Sequence, residues 1–208
     1  MLTRLASTTA GAALLLLATA YFLYSDILST NDMQADSDTS SLPLEVKLSV
    51  APAPASDLGS VALRITVSNL TPHTISILVW SSPLDPRAVV TGVFDFRSAN
   101  TNERAPCLDV KFNRKLPDSG YFERTDDAIV EIPATGSIER VIVVKEPEVA
   151  LAKGERYLVR TEGHWRQIWI HGGGEDGDAL LKLSMEEGSI ADFASDELAI
   201  DVPASDSK

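Results

Sequence analysis

The stretch Val61 to Trp80, VALRITVSNLTPHTISILVW, constrains this chain more than any other. In its first half Val61, Leu63, Ile65 and Val67 alternate with Ala62, Arg64, Thr66 and Ser68. Alternation with a period of two puts one set of side chains on a buried face and the other on a wet one, the pattern of a half-buried strand. Asn69-Leu70-Thr71-Pro72 then interrupts the run, because proline cannot donate to a sheet ladder and asparagine favours turns. Thr74 to Trp80 is rich in β-branched and aromatic residues and resumes the sheet. Two strands around a turn are the kernel of an antiparallel all-β domain.

The rest of the chain repeats this grammar. Leu44 to Val50 alternates cleanly and reads as the first strand, and Ala51 to Gly59, with Pro52 and Pro54, as a loop. After the Ser81 to Pro86 break, Val93 to Arg97 is a strand and Ser98 to Glu103 a hairpin tip. Leu108 to Phe112 is a weaker strand suited to a sheet edge, and Asn113 to Asp127 a long polar loop. Ala128 to Ile132, Ile138 to Val144 and Glu197 to Val202 are further strands. Glu155 to Thr161 and Trp165 to Ile170 read as a strand pair, and Leu180 to Leu183 as strand or short helix. No segment after residue 43 carries a helical period over ten or more residues. About seven to nine short strands with turns every ten residues or so predict an antiparallel β-sandwich over residues 42–203, with 204–208 as a tail. The chain has one cysteine, Cys107, so no Cys–Cys pair pins the layers. The expected class is immunoglobulin-like in architecture alone.

Ahead of this domain, Met1 to Leu5 carries Arg4 and then Ala6 to Tyr24 runs without a charge. This hydrophobic helix reads as an address to the secretory pathway. Ala18-Thr19-Ala20 suits cleavage after Ala20, whereas Tyr21 to Tyr24 lengthens the apolar run towards the roughly 20 residues that span a bilayer. Residues 1–24 are therefore a cleaved signal peptide or an uncleaved signal anchor through residues 6–24. On either reading the β domain lies on the lumenal or extracellular side. Residues 25–41 are acidic and serine-rich, a disordered linker by composition.

Composition narrows the partners. Eighteen Lys and Arg against thirty Asp and Glu give a formal charge of −12. That excludes nucleic-acid binding, which needs clustered cations to neutralise phosphates.

Candidate chemistry is sparse. The histidines are His73, His164 and His171, and none begins an HExxH motif. His164 and His171 are seven apart, so in a regular strand they face opposite sides and share a metal only across a bulge. His171-Gly172-Gly173-Gly174 imitates an oxyanion-hole passage, but no Gly-x-Ser-x-Gly elbow accompanies it. Glu175, Asp176 and Asp178 sit on that glycine loop without EF-hand spacing. Asp126 and Asp127 suit a turn better than an acid–base pair. Gly172 to Lys208 is strongly acidic, a solvated face or a face for a basic partner. Cys107, without CxxC spacing, reads as a small apolar residue. Asn69-Leu70-Thr71 is the one glycosylation sequon, on a turn that favours use but followed by Pro72, which disfavours it. No catalytic, cofactor or metal set results.

Several short passages carry a family resemblance. They are Val67-Ser68-Asn69, Ser82-Pro83-Leu84-Asp85, Val93 to Phe96, Thr125-Asp126-Asp127 and Ile132 to Ser137, in that order. Together they resemble the N-terminal propeptide domain of fungal deuterolysin-type metalloproteases, over roughly Leu42 to Val202. In that family a zinc protease domain with an HExxH helix follows; the motif is absent from this chain, so no catalytic residue carries over. The resemblance implies a stand-alone propeptide-like module that binds a secreted protease as inhibitor or chaperone, with Leu108–Phe112 and Asn113–Asp127 as contact surfaces. A membrane-tethered structural or adhesion domain is the other reading.

Overall fold

In the computed structural model, residues 43–52, 60–171 and 182–204 are described, and among them there is no helix. The hydrophobic segment 1–24, the linker 25–41 and the acidic glycine loop with Glu175, Asp176 and Asp178 lie outside the described residues. Among the described residues no helix is long and apolar enough to cross a membrane.

Eleven strands follow in order: β1 (Leu44–Ala51), β2 (Val61–Asn69), β3 (Thr74–Leu78), β4 (Phe94–Ser98), β5 (Tyr121–Glu123), β6 (Ile129–Ile132), β7 (Ser137–Val144), β8 (Arg156–His171), β9 (Lys182–Ser184), β10 (Ser189–Ala194) and β11 (Leu198–Asp201). One sheet has the order β1-β2-β7. The other runs β10-β8-β3-β6, with β4 and β11 also paired to β8. All these pairings are antiparallel. The alternating residues of β2 are the centre of one contiguous core: Leu63, Ile65 and Val67 are 0 % exposed. They share it with Ile75 and Ile77 of β3, Phe94 and Phe96 of β4, and Trp165 of β8. Each large apolar side chain so buried contributes about 1.5–3 kcal/mol over leaving it in water. This is the expected all-β, antiparallel sandwich.

The two halves of Val61 to Trp80 are not partners, however. β2 pairs with β1 and β7, whereas β3 pairs with β6 and β8. The Asn69–His73 turn carries the chain from one layer to the other, so the two strands meet across the core rather than along a ladder. Alternation reports a buried face but not which strand lies alongside.

Asn69 builds that crossover. Its side chain is 0 % exposed. The Nδ2 group donates to the carbonyls of His73 at 2.7 Å and Pro133 at 2.9 Å, with Ile132 O at 3.3 Å. Oδ1 accepts from Thr71 N at 2.9 Å and Thr71 Oγ1 at 2.7 Å. Its backbone N–H donates to Gly136 O at 2.9 Å. One amide thus ties β2, the turn and the end of β6.

Other expectations need correcting. Leu108 to Phe112 is not a strand: Cys107 makes one isolated bridge to Val149, and the chain beyond runs over the surface. The Asn113–Asp127 loop contains β5, which pairs with β9, and Ser189–Ala194 is a strand that its charged, irregular sequence hides. The expected pair Glu155–Thr161 and Trp165–Ile170 is one strand of 16 residues, Arg156–His171. Within it Gly163 marks a close approach, because a Cβ there would lie 2.9 Å from Phe193 Cζ. The Phe193 ring lies across this glycine and packs on Trp165 at 4.9 Å between centroids.

Candidate functional site

A shift in β8 decides which of its side chains face outward from the large sheet. Ala191 pairs with Trp165, yet Ser189 pairs with Ile168, so β8 holds an extra residue between them. Such a bulge reverses which side chains face the core. Before it Tyr157, Val159 and Trp165 point inward; after it Ile168 does, and Trp169 points outward. Trp169 joins Leu78, Phe122, Ile129 and Leu183 in a second cluster on the outer face of the large sheet. The β5–β9 ribbon covers that cluster, held by Trp169 Nε1 donating to Ser184 O at 2.7 Å.

Beside the ribbon the outer face stays open. A groove of about 850 Å³ is floored by Leu78, Trp80, Met185 and Ile190. Its wall is the surface segment Val110 to Leu116, presenting Val110, Phe112 and Leu116. Apolar side chains here are unusually wet: Phe112 is 41 %, Leu116 50 % and Ile190 69 % exposed. The wall is pinned at few points. Leu108 N donates to Glu148 O at 2.9 Å and Val110 N to Val90 O at 2.8 Å. Further along, Arg114 Nη2 reaches Asp85 Oδ2 at 2.6 Å, and the same guanidinium lies 5.4 Å from the Trp80 ring centroid. Arg87 sits 4.7 Å over the Phe112 ring.

Asp85, only 1 % exposed, anchors this corner. It also accepts the N–H groups of Ser81 at 3.0 Å and Arg87 at 2.9 Å. The charged side chains lining the groove are Lys111, Arg114 and Arg166, beside the imidazole of His164, with no carboxylate among them. Lys111 is paired with Asp109 at 2.6 Å, Arg114 with Asp85, and His164 with Asp192. The Lys111 ammonium holds the Asp109 carboxyl below the usual range. Arg166 has no ion-pair partner among the described residues.

The sequence-derived candidates fall into place separately. The bulge does put His164 and His171 on one face, but about seven residues of extended chain, roughly 20 Å, still part them. His164 is exposed at the groove; His171 is buried, with Nε2 at 2.8 Å from Ser76 Oγ. Burial first, and then the Arg124 charge, pull the His171 pKa down. A serine beside an imidazole is how hydroxyl nucleophiles are activated. Ser76, however, is 0 % exposed, and among the described residues no carboxylate hydrogen-bonds to the other ring nitrogen. Substrate has no way to that oxygen.

Asp126 Oδ1 accepts Ala128 N at 2.8 Å and shapes the turn into β6. Cys107 is half-buried and packs against the core. Asn69, the sequon residue, has both amide hydrogens committed to carbonyls inside the fold. The groove's wall falls within the two segments expected as contact surfaces, Leu108–Phe112 and Asn113–Asp127, whereas its floor of Leu78, Trp80, Met185 and Ile190 was not legible in sequence.

Residues 44–202 match the immunoglobulin-like domain family. An uncharacterized secreted protein of Arthroderma benhamiae is 28 % identical over 109 residues, covering 51 % of this chain and 52 % of that protein. The chain thus spans about half the length of this relative. The crystal structure of BslA, a bacterial hydrophobin, aligns at 14 % identity over 76 % of this chain and 92 % of that one. Its TM-score of 0.22 is too low for the likeness to carry an argument. None of these three matches is a protease propeptide.

Proposed function

The chain belongs to the immunoglobulin-like domain family, and from that premise we propose that it is a secreted, non-enzymatic module that binds a protein partner. A sandwich of this kind serves many unrelated functions, so the reading has to come from a site. The groove is that site. The observation that carries it is the open apolar floor and wall beside the β5–β9 ribbon, next to the part of the same sheet face that the ribbon covers. Exposed apolar surface of this kind, rimmed by charge, marks an interaction surface. The secreted relative supports the compartment.

A secreted protease is the partner that the propeptide resemblance favours, with the module acting in trans as inhibitor or chaperone. Two of the passages behind that resemblance, Val67-Ser68-Asn69 and Ile132 to Gly136, converge on the Asn69 network. Their first role is to hold the fold, so they speak to architecture before they speak to partner. The test is titration of the full chain against purified secreted zinc proteases of the deuterolysin type, by surface plasmon resonance and by residual activity. Saturable binding that Phe112→Asp abolishes is the expected result. Absence of binding to every such protease sinks the protease as partner.

A further inference from the structure

We propose that the groove takes an extended peptide segment of its partner, one that alternates apolar side chains with carboxylates and sets a carboxylate against Arg166. The inference rests on the groove being the partner surface. Its size, about 850 Å³, exceeds what a single side chain fills and lies within the roughly 300–1,000 Å³ of ligand-binding clefts. The floor of Leu78, Trp80 and Ile190 asks for apolar side chains.

Charge then selects among apolar peptides. The whole chain carries −12, yet the charged lining of the groove is entirely basic. Asp85 and Asp109 occupy Arg114 and Lys111, and Asp192 engages His164, which leaves Arg166, among the described residues, as the lining cation with capacity for an incoming carboxylate. A basic partner segment would meet Arg166 as a like charge.

The backbone of the wall favours an extended ligand. Between Lys111 and Leu116 no backbone N–H donates to a backbone carbonyl among the described residues. An extended peptide laid alongside pairs with those groups as an added strand. In that conformation successive side chains alternate, one set towards the apolar floor and the other towards the basic rim.

The experiment measures fluorescence anisotropy of two labelled synthetic peptides with the full chain, one alternating leucine with aspartate and one alternating leucine with lysine. The aspartate peptide is expected to bind at least about tenfold more tightly, an advantage that shrinks as salt is raised. Arg166→Glu, at an exposed position, should weaken it by about tenfold with an unchanged melting temperature. Equal binding of both peptides, or indifference to Arg166→Glu while Phe112→Asp abolishes binding, overturns the charge assignment and leaves the groove as the partner surface. No binding of the aspartate peptide to the unaltered chain also overturns it, and the protease titration then decides the wider reading alone.

Discussion

Replacing Asn69 should damage this fold more than any other single polar change. Asn69→Ala removes the Nδ2 donor to His73 O and Pro133 O and the Oδ1 acceptor for Thr71 N. Two of the abandoned groups keep another partner: Gly136 N still donates to Pro133 O, and Thr71 Oγ1 still lies 2.9 Å from His73 O. Thr71 N–H keeps no other partner among the described residues and sits in a residue only 8 % exposed. The two bonds to carbonyls, at about 1 kcal/mol each, and the orphaned Thr71 donor, at about 1–3 kcal/mol, predict a loss of about 3–5 kcal/mol. That is a large share of the roughly 5–15 kcal/mol that holds a domain folded. Urea unfolding followed by tryptophan fluorescence measures it, with an unchanged m-value showing that the change lies in stability.

Asn69→Asp sharpens the test. It preserves shape and the acceptor for Thr71 but turns a carboxylate oxygen towards two carbonyl oxygens. Its folded pKa must rise above the unfolded value of about 3.9. A raised acid pKa means the folded state binds more protons, so this variant recovers stability relative to the parent as pH falls from 7 towards 4. Asn69→Ala has no such recovery. A loss below about 1 kcal/mol for Asn69→Ala, or parity of Asn69→Asp with the parent at pH 7, would refute the crossover network as a stabilising element.

Three further outcomes are expected. Gly163→Ala should cost about 1–3 kcal/mol by driving a methyl into the Phe193 ring, and Phe193→Leu in the same chain should return part of it in a double-mutant cycle; strict additivity would show the two do not meet. The depressed His171 pKa means the unfolded chain binds the extra proton first, so its contribution to stability is complete above about pH 6.5 and declines as pH falls below that; His171→Gln should flatten this part of the pH–stability curve, and an unchanged slope would count against it. With both amide hydrogens of Asn69 engaged inside the fold, mass spectrometry of the tryptic peptide from secreted protein should find that residue without a glycan; full occupancy would contradict the buried geometry.

Alternation by itself determines much of this protein. The runs at Leu44, Val61 and Ile138 become strands because a period of two gathers their apolar side chains on one face of an extended chain, and the run at Thr74 because its β-branched residues suit a sheet. The absence of any helical period determines the all-β class in the same way, and the lone cysteine excludes a disulfide between the layers. Tertiary structure decided the rest. Which layer a strand joins depends on contacts far apart in sequence, and so β2 and β3, adjacent in the chain, lie on opposite sides of the core. Gly163 is a strand residue only because Phe193 lies across it. The groove opens beside the β5–β9 ribbon, where Val110 to Leu116 runs over the surface without joining the sheet as a strand. A local pattern records what a side chain prefers; whether water or protein meets it is settled by the packing of the whole chain.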